Sequence, residues 1–302
     1  MSHNKYRRDL LKQIGTATLT TALATVPGSI LSAKTSKKVT DTPVLKGNIN
    51  QSVCAWTYSF LPLAELCDVA SGLGLKAIDL ITPKDFALLK EKGLHCSMCY
   101  TAGKISLTEG WNDPANHDWL IADFTEAIPL VAEAGYTNLI CFSGNRRGMD
   151  DETGLQNCVA GLKKIMPLAE KHGVIIQMEL FNSKVDHKDY MADKTSWGVE
   201  LCKRLGSPNF KLLYDIYHMQ INEGDIIRTI RDNHQWIGHY HTAGVPGRHE
   251  IDDTQELYYP AIMRAILETG FEGYVAQEFI PGGENKEDKI MSLRKALEIC
   301  DV

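Results

Sequence analysis

From residue 51 onward, short apolar runs alternate with longer segments that have helical periodicity. The runs have the length and the β-branched content of buried strands, and the segments between them carry apolar residues on one helical face. Several of these segments end at a glycine, as helices often do. The predicted strands are 52–56, 77–80, 95–100, 138–142, 174–179, 210–215, 237–241 and 274–278. The predicted helices are 62–73, 85–92, 117–134, 154–172, 195–205, 225–233, 259–269 and 286–300.

The last four predicted strands each end in a side chain that can bind a metal ion. These residues are Glu179, Asp215, His241 and Glu278. Carboxylate oxygen and imidazole nitrogen are ligands for divalent cations. Each residue alone has a simpler interpretation: a solvated glutamate at a strand exit, a helix N-cap for the aspartate, or a core histidine. Four such endings together predict one metal site.

Strict alternation is compatible with a closed barrel or with an open doubly wound sheet. No glycine-rich phosphate loop follows the first strand, where a dinucleotide-binding fold needs one. Ligands on four consecutive strands also suit a closed ring, in which active-site residues gather at the C-terminal ends of the strands. The sequence therefore predicts an α/β protein, a single (β/α)8 TIM barrel over residues 48–302.

Composition limits the partners of this chain. It has 302 residues, 44% of them hydrophobic and 23% charged, and a formal net charge of −6. Acidic balance without a basic run argues against nucleic acid or an anionic membrane as partner. We expect a small-molecule substrate, and a homo-oligomer is compatible with the sequence.

The N-terminal residues have the layout of an export signal. A basic head containing Arg7 and Arg8 precedes an uncharged, Thr/Ala-rich stretch at 14–33, which ends in small residues suited to cleavage. The paired arginines resemble a twin-arginine signal. We predict a signal peptide at 1–33, a polar linker at 34–47 and a periplasmic protein. The alternative is that residues 1–33 are an irregular amphipathic tail.

The eight cysteines form no compact disulfide framework. Cys96 and Cys99 are the only close pair, and on a regular strand they would face opposite sides of the sheet. Most of the others lie in apolar runs, where a thiol behaves as a small buried hydrophobe. We predict structural thiols, with disulfides as the alternative in an exported protein.

Other candidate site residues lie just beyond the strand ends. His218 follows Asp215 closely, and Arg248 is carried by a turn rich in proline and glycine, from which its guanidinium could clamp paired oxygens. His239 lies one layer deeper than His241 and is expected to be a core histidine. Residues on loops at the same rim that could touch substrate are His187, Glu256 and Lys184, with Trp56 and Trp111 as covers for an apolar ligand face.

The predicted donor set has a definite chemistry. Oxygen-rich ligation with one imidazole suits Mn²⁺, Mg²⁺ or Co²⁺. Such an ion can polarise a carbonyl and stabilise an enediolate, while Glu179 and Glu278 act as base and acid across the ring. This indicates aldose–ketose isomerisation or epimerisation of a small keto-acid or keto-sugar.

Four sequence segments carry a family resemblance: YDIYHMQ at 214–220, EGD at 223–225, PGRHE at 246–250 and QEF at 277–279. Through them the chain resembles the xylose-isomerase-like barrel superfamily, and most closely its hydroxypyruvate isomerase branch. The resemblance implies that Glu179 and Glu278 are both ligands and the acid/base pair. It implies Asp215 and His241 as the other ligands, and His218 and Arg248 as substrate contacts.

The chain departs from the hydroxypyruvate isomerase pattern in three respects. His241 stands where that branch typically has glutamine, as it does in related ketose 3-epimerases, and Ile280 stands where it often has lysine. Export is also unusual for such an enzyme. Two alternatives remain: an exported lyase or hydratase acting on oxidised sugars or glycosides, and a non-catalytic sugar-binding barrel. A nuclease of the superfamily would need more histidine ligands and a basic groove.

Overall fold

The computed structural model describes residues 44–302, in which eight parallel strands close into a barrel in chain order. The first strand pairs with the second and with the eighth, so the ring has no free edge. The strands are β1 Asn50–Cys54, β2 Ala77–Ile81, β3 His95–Cys99, β4 Asn138–Cys141, β5 Ile175–Glu179, β6 Phe210–Asp215, β7 Ile237–Thr242 and β8 Tyr274–Gln277. The predicted (β/α)8 barrel is confirmed.

Helices follow the strands and cover the outside of the ring. They are α1 Leu63–Gly72, α2 Phe86–Glu91, α3 His117–Glu133, α4 Asp151–Leu162, α5 Met166–His172, α6 Thr195–Leu205, α7 Ile216–Asn222, α8 Ile226–Asn233, α9 Tyr259–Glu268 and α10 Lys286–Cys300. Single turns of 3₁₀ helix lie at Ala55–Tyr58, Pro83–Asp85, Pro114–Asn116 and His234–Trp236. None of the helices described here combines the length and the apolar character that crossing a bilayer requires.

Two helical segments differ from the predicted ones. The single helix predicted at 154–172 is two helices, α4 and α5, and Pro167 lies in the first turn of α5. Proline fits a first helical turn because it has no N–H to donate there; inside a helix it removes one hydrogen bond, which α3 tolerates at Pro129. Helix α7 was not predicted; it begins directly after β6, and the Asp215 carboxylate accepts a hydrogen bond from the His218 N–H at 3.1 Å.

All eight cysteines are buried and free, as predicted. The expectation that Cys96 and Cys99 face opposite sides is wrong, since their sulfur atoms are 3.4 Å apart. The pairing of β2 with β3 shifts register on either side of Asp79, and Leu80 has a positive φ of 61°. Such bulges break the strict alternation of side chains on which the prediction relied.

The predicted signal peptide at 1–33, and the linker as far as residue 43, lie outside the described residues. The last part of the linker runs beside the C-terminus of the chain. There the Lys46 N–H donates to the Asp301 carboxylate at 2.7 Å, and the Asn48 side-chain amide donates to the Val302 carbonyl at 2.8 Å.

Candidate metal and active site

The four strand-end residues meet at the C-terminal mouth of the barrel. Glu179, Asp215 and His241 lie at or near the ends of β5, β6 and β7, and Glu278 directly follows β8. All four are buried. Each offers one ligand atom, and these atoms lie within 4.8 Å of one another. Neighbouring parallel strands bring their ends to one edge, so four endings far apart in sequence become one cluster.

The orientation of His241 fits a cation in the middle of this cluster. Its Nδ1 lies 3.2 Å from a Glu179 oxygen and 3.1 Å from a Glu278 oxygen, and the geometry of a hydrogen bond is met with neither. The Glu179 Oε1 and Asp215 Oδ2 atoms also lack hydrogen-bond partners in the described part of the chain. Buried polar atoms are rarely left without partners. A divalent cation would satisfy all three.

Asp79 in β2 holds the other side of this imidazole. Its Oδ1 is 3.0 Å from His241 Nε2, and its Oδ2 is 3.0 Å from His239 Nε2. Burial acts to raise the pKa of Asp79, but the two imidazoles outweigh it and the pKa lies below its ordinary value. The ionised Asp79 therefore favours a proton on His241 Nε2, which leaves the Nδ1 lone pair for a metal. His239 is buried one layer below, as expected.

The carboxylates of the cluster have strongly perturbed affinities for protons. Burial, with a contribution from the charge of Glu278, raises the pKa of Glu179 to about 7. The same two causes hold the pKa of Asp215 well above its usual range. Burial also acts to raise the pKa of Glu278, but Arg248 and His241 bring it well below the ordinary value. Without a cation, Glu179 and Asp215 therefore tend to retain protons that a cation would displace, whereas Glu278 stays ionised.

His218 presents a hydrogen-bond donor to the site. The side-chain oxygen of Asn182 accepts hydrogen bonds from the N–H groups of Val185 and Asp186, both at 3.0 Å. The amide nitrogen of Asn182 must therefore be the atom that lies 2.7 Å from His218 Nδ1. Burial, and then the charge of Arg248, hold the pKa of His218 well below its usual range. The ring is neutral, and its proton is on Nε2, which has no described partner and lies 3.6 Å from Asp215 Oδ2.

Arg248 pairs with the protein's own carboxylates. Its guanidinium is 2.5 Å from a Glu278 oxygen and 3.8 Å from an Asp215 oxygen. The turn that carries it is closed by a hydrogen bond from the Gly244 N–H to the His249 carbonyl at 2.8 Å. The Nε atom is buried without a described partner. Arg248 can therefore offer one further N–H to a ligand, although its charge is already neutralised.

A cavity of about 270 Å³ opens above the cluster. Its walls are mainly aromatic, and the lining residues are Trp56, Tyr100, Leu107, Phe142, Glu179, Phe181, His187, Arg248 and Glu278. The indole N–H of Trp56 donates to Glu278 Oε1 at 2.8 Å. His187 stacks on Phe181 with ring centroids 4.2 Å apart. Two of the predicted rim residues, Trp56 and His187, thus line the cavity.

Other predicted rim residues lie elsewhere. Glu256 is exposed and accepts a hydrogen bond from Gln220 at 3.1 Å, because its loop is folded outward by hydrogen bonds between the Gln255 side chain and the backbone. Lys184 donates to two backbone carbonyls at the C-terminal end of α7, the nearer at 2.8 Å. Trp111 is fully buried and packs edge-on against Phe124. These three residues do not line the cavity.

The sequence analysis missed several residues of the site. Tyr100 and Phe142 directly follow β3 and β4, so the rule that identified the ligands would have identified them if it had been applied to aromatic side chains. Asp79 had a visible signal, an acidic residue inside the apolar run AIDLI. Asn182 had no such signal, because its role depends on a contact with His218, which lies on helix α7 after the next strand.

Known proteins resemble this chain in sequence and in fold. Residues 82–297 match the family described as xylose isomerase-like TIM barrel. The 2-oxo-tetronate isomerase of Cupriavidus necator is 35% identical over 113 residues, which are 37% of this chain and 43% of that protein. A Danio rerio protein named "Putative hydroxypyruvate isomerase" is 30% identical over 128 residues, which are 42% of this chain and 46% of that one. The chain thus aligns with less than half the length of either relative.

A solved structure covers more of the chain. The 3-keto-D-glucoside 4-epimerase from E. coli superposes with a TM-score of 0.69 over 83% of this chain and 100% of the other, at 18% identity. That likeness shows a common fold. The family match extends over most of the barrel and includes the strands that carry the cluster. The chain therefore belongs to the xylose isomerase-like TIM barrel family.

Proposed function

We propose that this protein is a divalent-metal-dependent isomerase or epimerase that acts on a small keto-sugar or keto-acid. The observation that carries the proposal is the convergence of Glu179, Asp215, His241 and Glu278 below an aromatic cavity. The two relatives described above are named as isomerases of 2-oxo-tetronate and of hydroxypyruvate, which supports this reaction class. Oxygen-rich donors with one imidazole suit Mn²⁺, Mg²⁺ or Co²⁺.

A bound cation would polarise the substrate carbonyl and its neighbouring hydroxyl. The protein's part is to move protons. One glutamate takes the proton from the carbon beside the carbonyl, and the electron pair of the C–H bond forms an enediolate. Return of a proton to the former carbonyl carbon gives the isomer once the hydroxyl proton has moved from one enediolate oxygen to the other. Return to the opposite face of the carbon that lost the proton gives the epimer.

The surroundings of the two glutamates differ. Glu179 lines the cavity, and its carboxylate is not held by an arginine and an indole as that of Glu278 is, so one oxygen can exchange a proton with the substrate while the other binds the cation. Glu278 is held by Trp56 and Arg248 on its two oxygens. His218 Nε2 can donate to a substrate oxygen. Glu179 is therefore our first choice for the proton-abstracting base, with Glu278 as its counterpart.

Proton NMR in D₂O tests the reaction. The full chain loaded with Mn²⁺ should exchange the hydrogen beside the carbonyl for deuterium and keep the carbon skeleton. Chelation should abolish the exchange, and Mn²⁺ or Mg²⁺ should restore it. Full activity in the presence of chelator would contradict metal dependence.

The same spectra separate the alternatives. Release of water or of an aglycone would indicate a lyase or hydratase. A sugar-binding barrel without catalysis predicts no exchange on any sugar, and it predicts that Glu179→Gln leaves ligand affinity nearly intact. The isomerase instead predicts that Glu179→Gln abolishes exchange.

We also propose that residues 1–33 direct export by a twin-arginine signal. The support is the sequence: the Arg7–Arg8 pair, the uncharged stretch after it and the small-residue cleavage site. In a bacterial host with this export route, the double variant Arg7→Lys/Arg8→Lys should remain in the cytoplasm, whereas the control Lys12→Arg should reach the periplasm. Undiminished export of the double variant would contradict a twin-arginine signal.

A further inference from the structure

We propose that the site selects neutral keto-sugars over anionic keto-acids. This inference rests on the proposed function and makes its substrate class more specific. The names of the two isomerase relatives point to keto-acids, 2-oxo-tetronate and hydroxypyruvate, which are anions at neutral pH. The distribution of charge in this cavity favours the other class.

The charges of the three carboxylates, Arg248 and a bound divalent cation already balance, and the ionised Asp79 in contact with His241 adds a further negative charge. Glu179, Asp215 and Glu278 contribute three negative charges when a cation binds, and Arg248 is the single guanidinium in contact with them. A divalent cation supplies the remaining two positive charges. A substrate carboxylate would add one negative charge with nothing to compensate it, which is costly where the cavity wall shields that charge from water.

The cavity wall offers no other positive charge. Among the described residues that line it, Arg248 is the only lysine or arginine. His187 is the one histidine in the lining, and burial together with Arg248 lowers its pKa below the ordinary value, so it is neutral. Three basic residues on nearby loops are engaged elsewhere: Lys184 with backbone carbonyls, Lys104 with Glu109, and Arg146 with Asp151 and Asp193. Lys188, next to His187, is exposed and does not line the cavity.

The rest of the wall suits a sugar. Trp56, Tyr100, Phe142 and Phe181 line the cavity, and the rings of Phe142 and Phe181 are nearly parallel, with an interplanar angle of 16°. Aromatic faces can cover the C–H faces of a carbohydrate, while a few placed polar groups fix its orientation. The lining residue Arg248 has an Nε–H without a described partner, and so has His218 Nε2, which is buried beside Asp215 and is not part of the lining. Both can donate to hydroxyl or carbonyl oxygens.

Matched pairs of ligands isolate the effect of charge. Erythrulose and 2-oxo-tetronate differ only in a CH₂OH group against a carboxylate, and so do dihydroxyacetone and hydroxypyruvate. Dissociation constants of all four compounds would be measured by calorimetry on the Mn²⁺-loaded full chain. Isomerisation during the measurement does not change a ligand's charge. The dissociation constants of the charged and the neutral ligand can therefore be compared even if the enzyme converts them.

We expect the neutral member of each pair to bind at least about tenfold more tightly, the change that one unfavourable charge contact readily produces. Equal or tighter binding of the carboxylate members would overturn the inference, and so would failure of both neutral members to bind. Failure of the proposed function has a different signature: neutral sugars would bind, but no deuterium exchange or conversion would follow.

A variant of the cavity wall tests charge as the cause. Leu107 lines the cavity and is partly exposed. Leu107→Lys should strengthen binding of 2-oxo-tetronate by about tenfold relative to erythrulose. Leu107→Gln, which is similar in length but uncharged, should leave the ratio of the two dissociation constants unchanged. A Lys variant with the parent ratio would count against the inference.

Discussion

Asp79 is the residue on which the orientation of His241 depends. It lies on β2, across the barrel from β7, and it touches no candidate substrate position. Its two oxygens are shared between His241 and His239. Because it accepts the Nε2 proton of His241, it decides which ring nitrogen remains free for a cation. Asp79 therefore acts as a positioning residue.

Asp79→Asn should weaken Mn²⁺ binding by about 10–100-fold, the usual effect of losing a hydrogen-bond partner of a metal ligand. Calorimetric titration of the chelated protein with Mn²⁺ measures this. The control is His239→Gln, which removes the neighbouring buried imidazole but keeps the Asp79–His241 contact, and it should change affinity much less. Parent-like affinity in Asp79→Asn would contradict the positioning role.

The affinity for Mn²⁺ should rise with pH from about pH 6 to about pH 8. Glu179 has a pKa raised to about 7, mainly by burial, so below that pH its carboxyl carries a proton. A cation must displace this proton, and protons therefore compete with the metal on the acid side. Titrations with Mn²⁺ at several pH values measure whether the affinity rises or falls with pH. Affinity that is flat or that falls with pH would show that Glu179 is not a ligand.

At the scale of secondary-structure elements, the turn at 244–250 determines where Arg248 lies. Gly244 forms an isolated antiparallel bridge with His249, and the Arg248 carbonyl accepts a hydrogen bond from the Ile280 N–H at 2.7 Å. The backbones approach closely there. A Cβ atom added at Gly244 would lie 2.1 Å from the Glu250 carbonyl oxygen, so any side chain at this position must open the turn.

Gly244→Ala should therefore lower the free energy of unfolding by about 1–3 kcal/mol, as overpacking typically does. It should also lower kcat/KM, because Arg248 moves away from Glu278. Gly72→Ala is the control: Gly72 ends α1, and an added Cβ there meets no atom within 4 Å. That change should be neutral or stabilising by up to about 1 kcal/mol. Urea unfolding measures the free energy of unfolding of both variants, and initial rates measure their kcat/KM.

Local patterns predicted the elements of this fold well, and they predicted part of the site. Alternation of apolar runs and helical segments predicted the elements, and the barrel followed once the missing phosphate loop and the ligands on four consecutive strands were added. The strand endings identified Glu179, Asp215, His241 and Glu278, which the structure brings together. Asp79 could not be assigned a role, because its partners come from β7, more than 150 residues away in sequence. The bulges between β2 and β3 were also invisible, since register is a property of two strands together.

At the scale of the whole molecule, the thiols are distributed through the interior and none is paired. Cysteines lie on β1, β3 and β4 and on α1, α4, α6 and α10, all of them buried. Burial raises the pKa of most of them, including Cys202 and Cys300, both to about 12. Thiolates are the reactive form, so the folded protein should resist oxidation.

A thiol-specific reagent should thus find eight reactive groups in the chain denatured without reductant, and far fewer in the native protein. The matched control is the reduced, denatured chain, which should give the same total of eight. A lower total without reductant would reveal a disulfide, and Cys96 with Cys99 would be the first pair to examine, since their sulfur atoms are 3.4 Å apart.

The reach of Asp79 across the ring has a consequence for the order of assembly. A chain in which β5 to β8 had docked but β2 had not would hold the four ligands with the imidazole free to rotate. Tight binding of the ion then requires that β2 pairs with its neighbours and brings Asp79 to His241. We therefore expect the metal to bind tightly only after the barrel has formed, and to have little effect on the folding rate.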